Sequence, residues 1–119
     1  MRRRNLAAGA ALAGILTAAA VPALGASSAK TTINVIDDAF APTKATVRKG
    51  TLVTFKWSPA NYQEHDVKLV SAPKGVKKYT SPAGTTGILF RKRLSTPGTY
   101  KFVCTYHESI MKLTLRVKH

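Results

Sequence analysis

Pro97-Gly98-Thr99-Tyr100-Lys101-Phe102-Val103-Cys104-Thr105-Tyr106-His107-Glu108-Ser109-Ile110-Met111 decides how the rest of this chain is read. Thr99 to Cys104 has the pattern of a strand, and because strand side chains alternate with a period of two, Tyr100, Phe102 and Cys104 share one face. That face is apolar, so Cys104 points inward where its strand ends. A short loop carrying His107 and Met111 follows. Lys112-Leu113-Thr114-Leu115-Arg116-Val117-Lys118 then alternates again, with Leu113, Leu115 and Val117 facing one way and cations the other. One strand-to-strand loop thus holds a thiol, an imidazole and a thioether, soft donors that suit copper.

The copper chemistry asks for a second imidazole, and the chain has three histidines in all. His119 is the last residue given, a position that frays. His65 is the better candidate: it opens His65-Asp66-Val67-Lys68-Leu69-Val70, where residues 65, 67 and 69 fall on one strand face beside the core. Cys with two His in a plane and a long axial Met is a ligand set for one copper ion.

Working outward, Lys30 to Ile36 reads as a first strand ending at Asp37-Asp38, and Phe40-Ala41-Pro42 as a turn. Ala45 to Arg48 and Thr51 to Trp57 flank Lys49-Gly50 and predict a hairpin-like pair, with Val53, Phe55 and Trp57 inward. Ser58 to Glu64 is a loop that delivers His65. Pro73, Gly75, Pro82, Gly84 and Gly87 mark a surface excursion with one short strand expected near Val76 to Tyr79, and Ile88 to Leu94 resumes as a strand. About seven or eight short strands with no helical period predict an all-β fold, an antiparallel β-sandwich with Greek-key connections.

From about Thr31 to Lys118 the chain resembles the cupredoxins, in particular the small plastocyanin/amicyanin-like blue copper proteins. The pieces that carry the resemblance are Phe40-x-Pro42, Val47-x-x-Gly50-x-x-Val53-x-Phe55, His65-x-Val67, Pro97-Gly98-x-Tyr100-x-Phe102-x-Cys104 and Cys104-x-x-His107-x-x-x-Met111. The resemblance implies copper ligands at His65, Cys104, His107 and Met111, a type 1 site, and an electron port at the His107 edge. Asp66, Trp57 and Leu113 depart from the pattern, standing where Asn, Asn and Gly are common, and none of them removes a ligand.

The front of the chain is different in kind. Arg2-Arg3-Arg4 precedes an Ala-rich apolar run from Leu6 to Val21 that is short for a membrane span, and Ala23-Leu24-Gly25 supplies small residues at the usual cleavage spacing. These predict a signal peptide over 1–25, cleaved between 25 and 29, and one copper-binding domain over 30–119; an uncleaved anchor is the other reading. Arg3-Arg4-Asn5-Leu6 loosely matches a twin-arginine signal with an incomplete consensus. The expected location is periplasm, cell envelope or extracellular space. The single Cys leaves no intramolecular disulfide, and a buried metal-bound thiol accounts for it better than a free one.

The formal net charge of +14 falls to +11 when Arg2, Arg3 and Arg4 leave with the signal. An exported chain meets no nucleic acid in its ordinary work, so the expected counterparts are an acidic redox partner protein, an anionic membrane surface or a cell-wall polymer. A solvated basic exterior that keeps a monomer soluble is the plainer reading. A cysteine nucleophile is disfavoured because Asp66, beside His65, points to the opposite face; paired zinc ligands and the two cysteines of a haem attachment site are missing. The functional expectation is a blue copper protein that carries one electron and is not an enzyme. The alternatives are copper buffering or delivery through the same residues, or an interaction module without metal.

Overall fold

The computed structural model describes residues 29–119, and the expected signal peptide over 1–25 lies outside the described residues. Eight strands form among these residues: β1 (Lys30–Ile36), β2 (Ala39–Ala41), β3 (Lys44–Arg48), β4 (Thr51–Trp57), β5 (Lys68–Ser71), β6 (Leu89–Leu94), β7 (Gly98–Val103) and β8 (Lys112–Lys118). They make two four-stranded sheets, ordered β2-β1-β4-β6 and β3-β8-β7-β5. Alternation places the core between them. Val53, Phe55 and Trp57 of β4 and Leu113, Leu115 and Val117 of β8 are all buried, as period-two patterning requires. Phe55 sits at the centre, 6.5 Å from Phe40 and 6.2 Å from Phe90 within its own sheet and 5.2 Å from Phe102 across the sandwich.

The sheets are mixed, which corrects the antiparallel expectation. β1 runs parallel to β4, with Ile33 opposite Phe55, and β3 runs parallel to β8, with Val47 opposite Val117. The predicted β3–β4 hairpin is also overturned, because β3 and β4 lie in opposite sheets. Lys49-Gly50 is a crossover between layers: Lys49 N–H donates to Lys118 O in one sheet and Gly50 N–H to Leu94 O in the other. Adjacent strands joined by a tight turn look like a hairpin in any one-dimensional pattern, and only burial of both inner faces selects the crossover.

Three smaller expectations are revised. Phe40-Ala41 belongs to a short strand, β2, which pairs antiparallel with β1 through a two-residue Asp37-Asp38 turn in which Asp38 has φ 64°. His65 precedes β5 and joins the fold through a single bridge to Gly84. The excursion has no strand at Val76–Tyr79; Thr80 alone bridges Lys68, and Tyr79 packs over the open side of the core, 6.4 Å from Phe102 and 5.8 Å from Phe90. The excursion returns close to β7: a Cβ at Gly98, where φ is 138°, would stand 2.6 Å from Pro73 Cγ, so only glycine fits.

Candidate metal centre

The C-terminal ends of β1, β4 and β7 and the N-terminal ends of β5 and β8 meet at one end of the sandwich. Cys104 follows the last residue of β7, and the loop behind it closes on itself. His107 N–H donates to Cys104 O at 3.1 Å, Met111 N–H donates to His107 O at 2.9 Å, and Cys104 N–H donates back to Met111 O at 3.1 Å. This returns the chain to β8 with Met111 fully buried one residue before the strand.

His65 arrives from the other side. Its backbone exchanges hydrogen bonds with Gly84, at 2.9 and 3.1 Å, and Trp57 Nε1–H reaches both carbonyls, His65 O at 3.2 Å and Gly84 O at 3.0 Å. Trp57 therefore ties the loop before β5 to the excursion. The His65 side chain has no solvent exposure.

Cys104 Sγ lies 3.8 Å from His65 Nδ1 and 3.7 Å from His107 Nδ1. The three donor atoms all fall within 4.8 Å of one another, and the two imidazole rings stand 5.2 Å apart. Both rings turn Nδ1 to the sulfur and Nε2 away from it. The thiol, two imidazoles and a buried thioether at the end of the same loop make a donor set that fits a type 1 copper. Burial pushes the Cys104 thiol up from its ordinary range, so the sulfur becomes a thiolate when a cation takes the proton's place.

The structure thus brings His65, Cys104 and His107 together, and Met111, joined to Cys104 and His107 through its backbone, is buried at the end of the same loop. It also gives contacts at the site to acids and an amide that the sequence alone left without a role there. Asp37 Oδ1 lies 2.9 Å from His65 Nε2, while its carboxylate accepts the backbone N–H groups of Tyr62 at 2.9 Å and Gln63 at 3.1 Å. The Tyr62 amide first, and then the His65 ring, hold the Asp37 carboxyl below the ordinary carboxylate range. Asp38 Oδ1 stands 3.6 Å from His107 Nε2. Asp66, itself buried, accepts Thr105 N–H at 2.7 Å and Thr105 Oγ1–H at 2.6 Å, fastening the residue after Cys104. Asn61 Nδ2 donates to Val35 O and Thr85 O, pinning the loop that delivers His65. The available signal was scarcity: the chain has five acids, and three of them flank its key loops as Asp37, Asp38 and Asp66.

Tyr106 and Ile110 are 50% and 63% exposed and form the outer edge of the site. The Arg91-Lys92-Arg93 cluster on β6 runs away from that edge: Arg93 pairs with Leu52 and its guanidinium donates to Gly50 O at 2.8 Å, at the opposite end of β4 from Trp57. His107 itself reaches the surface, with 22% of its side chain exposed.

Residues 6–117 match the family model for the cupredoxin-like domain, nearly the whole chain. The chain is a cupredoxin. No curated protein matches it. Among solved structures, a pseudoazurin from Sinorhizobium meliltoi is 22% identical, with a TM-score of 0.61 over 76% of this chain and 74% of the other. An amicyanin variant in its reduced state is 19% identical, with a TM-score of 0.64 over 81% and 87%. A copper-containing nitrite reductase from Thermus scotoductus is 22% identical, with a TM-score of 0.65 over 89% of this cupredoxin and 25% of the enzyme. At these identities the likeness establishes the sandwich. The last match adds that the same fold also occurs inside an enzyme.

Proposed function

We propose that this cupredoxin is an exported one-electron carrier that binds a single type 1 copper through His65, Cys104, His107 and Met111. The observation that carries the reading is the convergence of one thiol and two Nδ1 atoms within 4.8 Å, with the thiol buried. When bound, copper supplies a one-electron couple one unit more positive in its oxidised state. The residues set its terms. Burial of Cys104 and His65 penalises the more positive state and raises the potential, while a thioether at Met111 is a weak donor that adds little for Cu(II). The closed loop from Cys104 to Met111, with Asp66 on Thr105 and Trp57 on His65, fixes donors from two directions, so little moves when the charge changes. The exposed edge of His107 is the route out.

Redox partner proteins are its counterparts, and the basic body is the face for an acidic partner surface, an anionic membrane or a cell-wall polymer. Arg2-Arg3-Arg4 and the apolar run to Val21 support export to periplasm, envelope or extracellular space. Copper buffering or delivery through the same residues is the rival role, and the fully buried Cys104 disfavours handing the metal on. Voltammetry of the copper-loaded protein, paired with incubation against a chelating acceptor, separates the two. A fast reversible one-electron wave with copper retained is expected, whereas a sluggish wave with rapid copper loss would overturn the carrier reading.

A further inference from the structure

Asp37 and Asp38 form the two-residue turn between β1 and β2, and the turn lies against the outer edges of both imidazoles. Asp37 meets His65 Nε2 at 2.9 Å, and Asp38 stands 3.6 Å from His107 Nε2. A turn needs neither acid for its own sake, and Asp38 sits in the left-handed region at φ 64°, which Gly or Asn would tolerate as well. Asp37 is itself held: its two oxygens take the amides of Tyr62 and Gln63, so the carboxylate is fixed before any metal arrives.

We propose that this turn is a positioning device for the copper centre: Asp37 sets the His65 ring with Nδ1 bare toward Cys104, and the two carboxylates together favour the oxidised centre. The inference rests on the copper-carrier reading but concerns residues outside the ligand set. An ionised carboxylate only accepts, so the hydrogen between it and His65 belongs to Nε2 and the lone pair is left on Nδ1, the atom 3.8 Å from Cys104 Sγ. The ring is buried and has no solvent to choose its tautomer, which leaves the choice to Asp37. The same negative charge, passed through the imidazole, stabilises the more positive of two states that differ by one unit. It works against the burial of Cys104, so the potential is a balance between an apolar pocket and an acidic clasp. The Asp38 contact is longer than a hydrogen bond and more exposed, so it acts as a screened charge on His107.

The test uses Asp37→Asn, Asp37→Ala and Asp38→Asn with two readouts. Ring nitrogen shifts of His65 in the copper-free protein should report hydrogen on Nε2 in wild type and Asp37→Asn, which keeps an acceptor, and a tautomer mixture in Asp37→Ala. In the copper-loaded protein, Asp37→Asn should move the equilibrium about tenfold toward the reduced state, a rise of about 59 mV for one electron, with its colour kept. Asp38→Asn should move it less, in the same direction. Wild-type ring shifts in Asp37→Ala, or a potential in Asp37→Asn no higher than wild type, would overturn the proposal. A purely structural turn would change the melting temperature and neither readout. The tautomer measurement needs no copper, so it stands apart from the carrier reading.

Discussion

The copper end of the sandwich and its body carry opposite charge. All five acids of the chain belong to the copper end: Asp37, Asp38 and Asp66 through their contacts with His65, His107 and Thr105, Glu108 as the neighbour of His107, and Glu64 as the neighbour of His65. Glu64 and Asp66 both add to the rise of the Tyr106 phenol, behind its desolvation. The cations instead lie along the strands, at the far turns and in the excursion, with Lys68 and Lys112, opposite Val103, nearest to the loops. The two regions are also held differently, the body by apolar packing around Phe55 and the copper end by hydrogen bonds to buried or half-buried carboxylates and amides. A net charge read from composition therefore describes the body and misdescribes the port. It follows that the two regions should be separable by experiment.

The largest separation is expected from the core. Phe55→Ala should cost the copper-free protein about 3–5 kcal/mol in urea unfolding, yet leave the copper spectrum of the folded fraction unchanged. A shifted spectrum would mean that the body and the centre are mechanically coupled.

Met111→Leu probes the copper end alone. It keeps the thiol and both imidazoles in place, so the colour should persist while the potential rises through loss of a weak donor to Cu(II). An unchanged potential would make Met111 core filler and move it from the centre to the body.

Charge gives a subtler contrast. At low salt, with a Debye length of about 30 Å at 0.01 M, a small redox reagent meets the whole basic molecule; at 0.1 M, with about 10 Å, it meets mainly the carboxylates around His107. The rate with an anionic reagent relative to a cationic one should therefore fall as salt rises through this range. Glu64→Gln together with Glu108→Gln should reduce that fall. A ratio governed by the Arg91-Lys92-Arg93 cluster instead would restore the expectation drawn from net charge.

The smallest effect belongs to the body's edge. Tyr79 Oη is buried with no hydrogen-bond partner among the described residues, and Lys92 Nζ lies 4.4 Å above its ring. Tyr79→Phe should thus leave stability near neutral pH unchanged or raise it by up to about 1 kcal/mol, because it removes a buried hydroxyl whose desolvation no hydrogen bond offsets. Tyr100→Phe, which breaks a 2.7 Å bond to Thr96 O, should cost about 1 kcal/mol. Burial pushes the Tyr79 phenol up to about 12 from 10.0. A folded value above the unfolded one leaves its contribution intact below pH 10 and erodes it as the pH rises toward 12. Tyr79→Phe should flatten that alkaline loss, as followed by urea midpoints across the range.

The sandwich was legible in the sequence because alternation at Val53-x-Phe55-x-Trp57 and Leu113-x-Leu115-x-Val117 is imposed by the core itself. The donor loop was legible because Cys104, His107 and Met111 are close in sequence. Which strands pair was not: a crossover at Lys49-Gly50 and a hairpin demand the same turn residues, and parallel pairing of β1 with β4 depends on the opposite layer. Asp37 was hidden for a related reason. Its partner His65 is 28 positions away, and nothing local to a two-residue turn reveals which side chain it will cover.

The central claim is that Cys104, His65 and His107 hold copper in a type 1 site. It is tested most directly by the visible and EPR spectra of the purified protein with one equivalent of Cu(II), beside Cys104→Ala. The account predicts an intense thiolate-to-copper band toward the red end of the visible in wild type and its complete loss in Cys104→Ala. A colourless wild-type protein with an ordinary tetragonal EPR signal would contradict it.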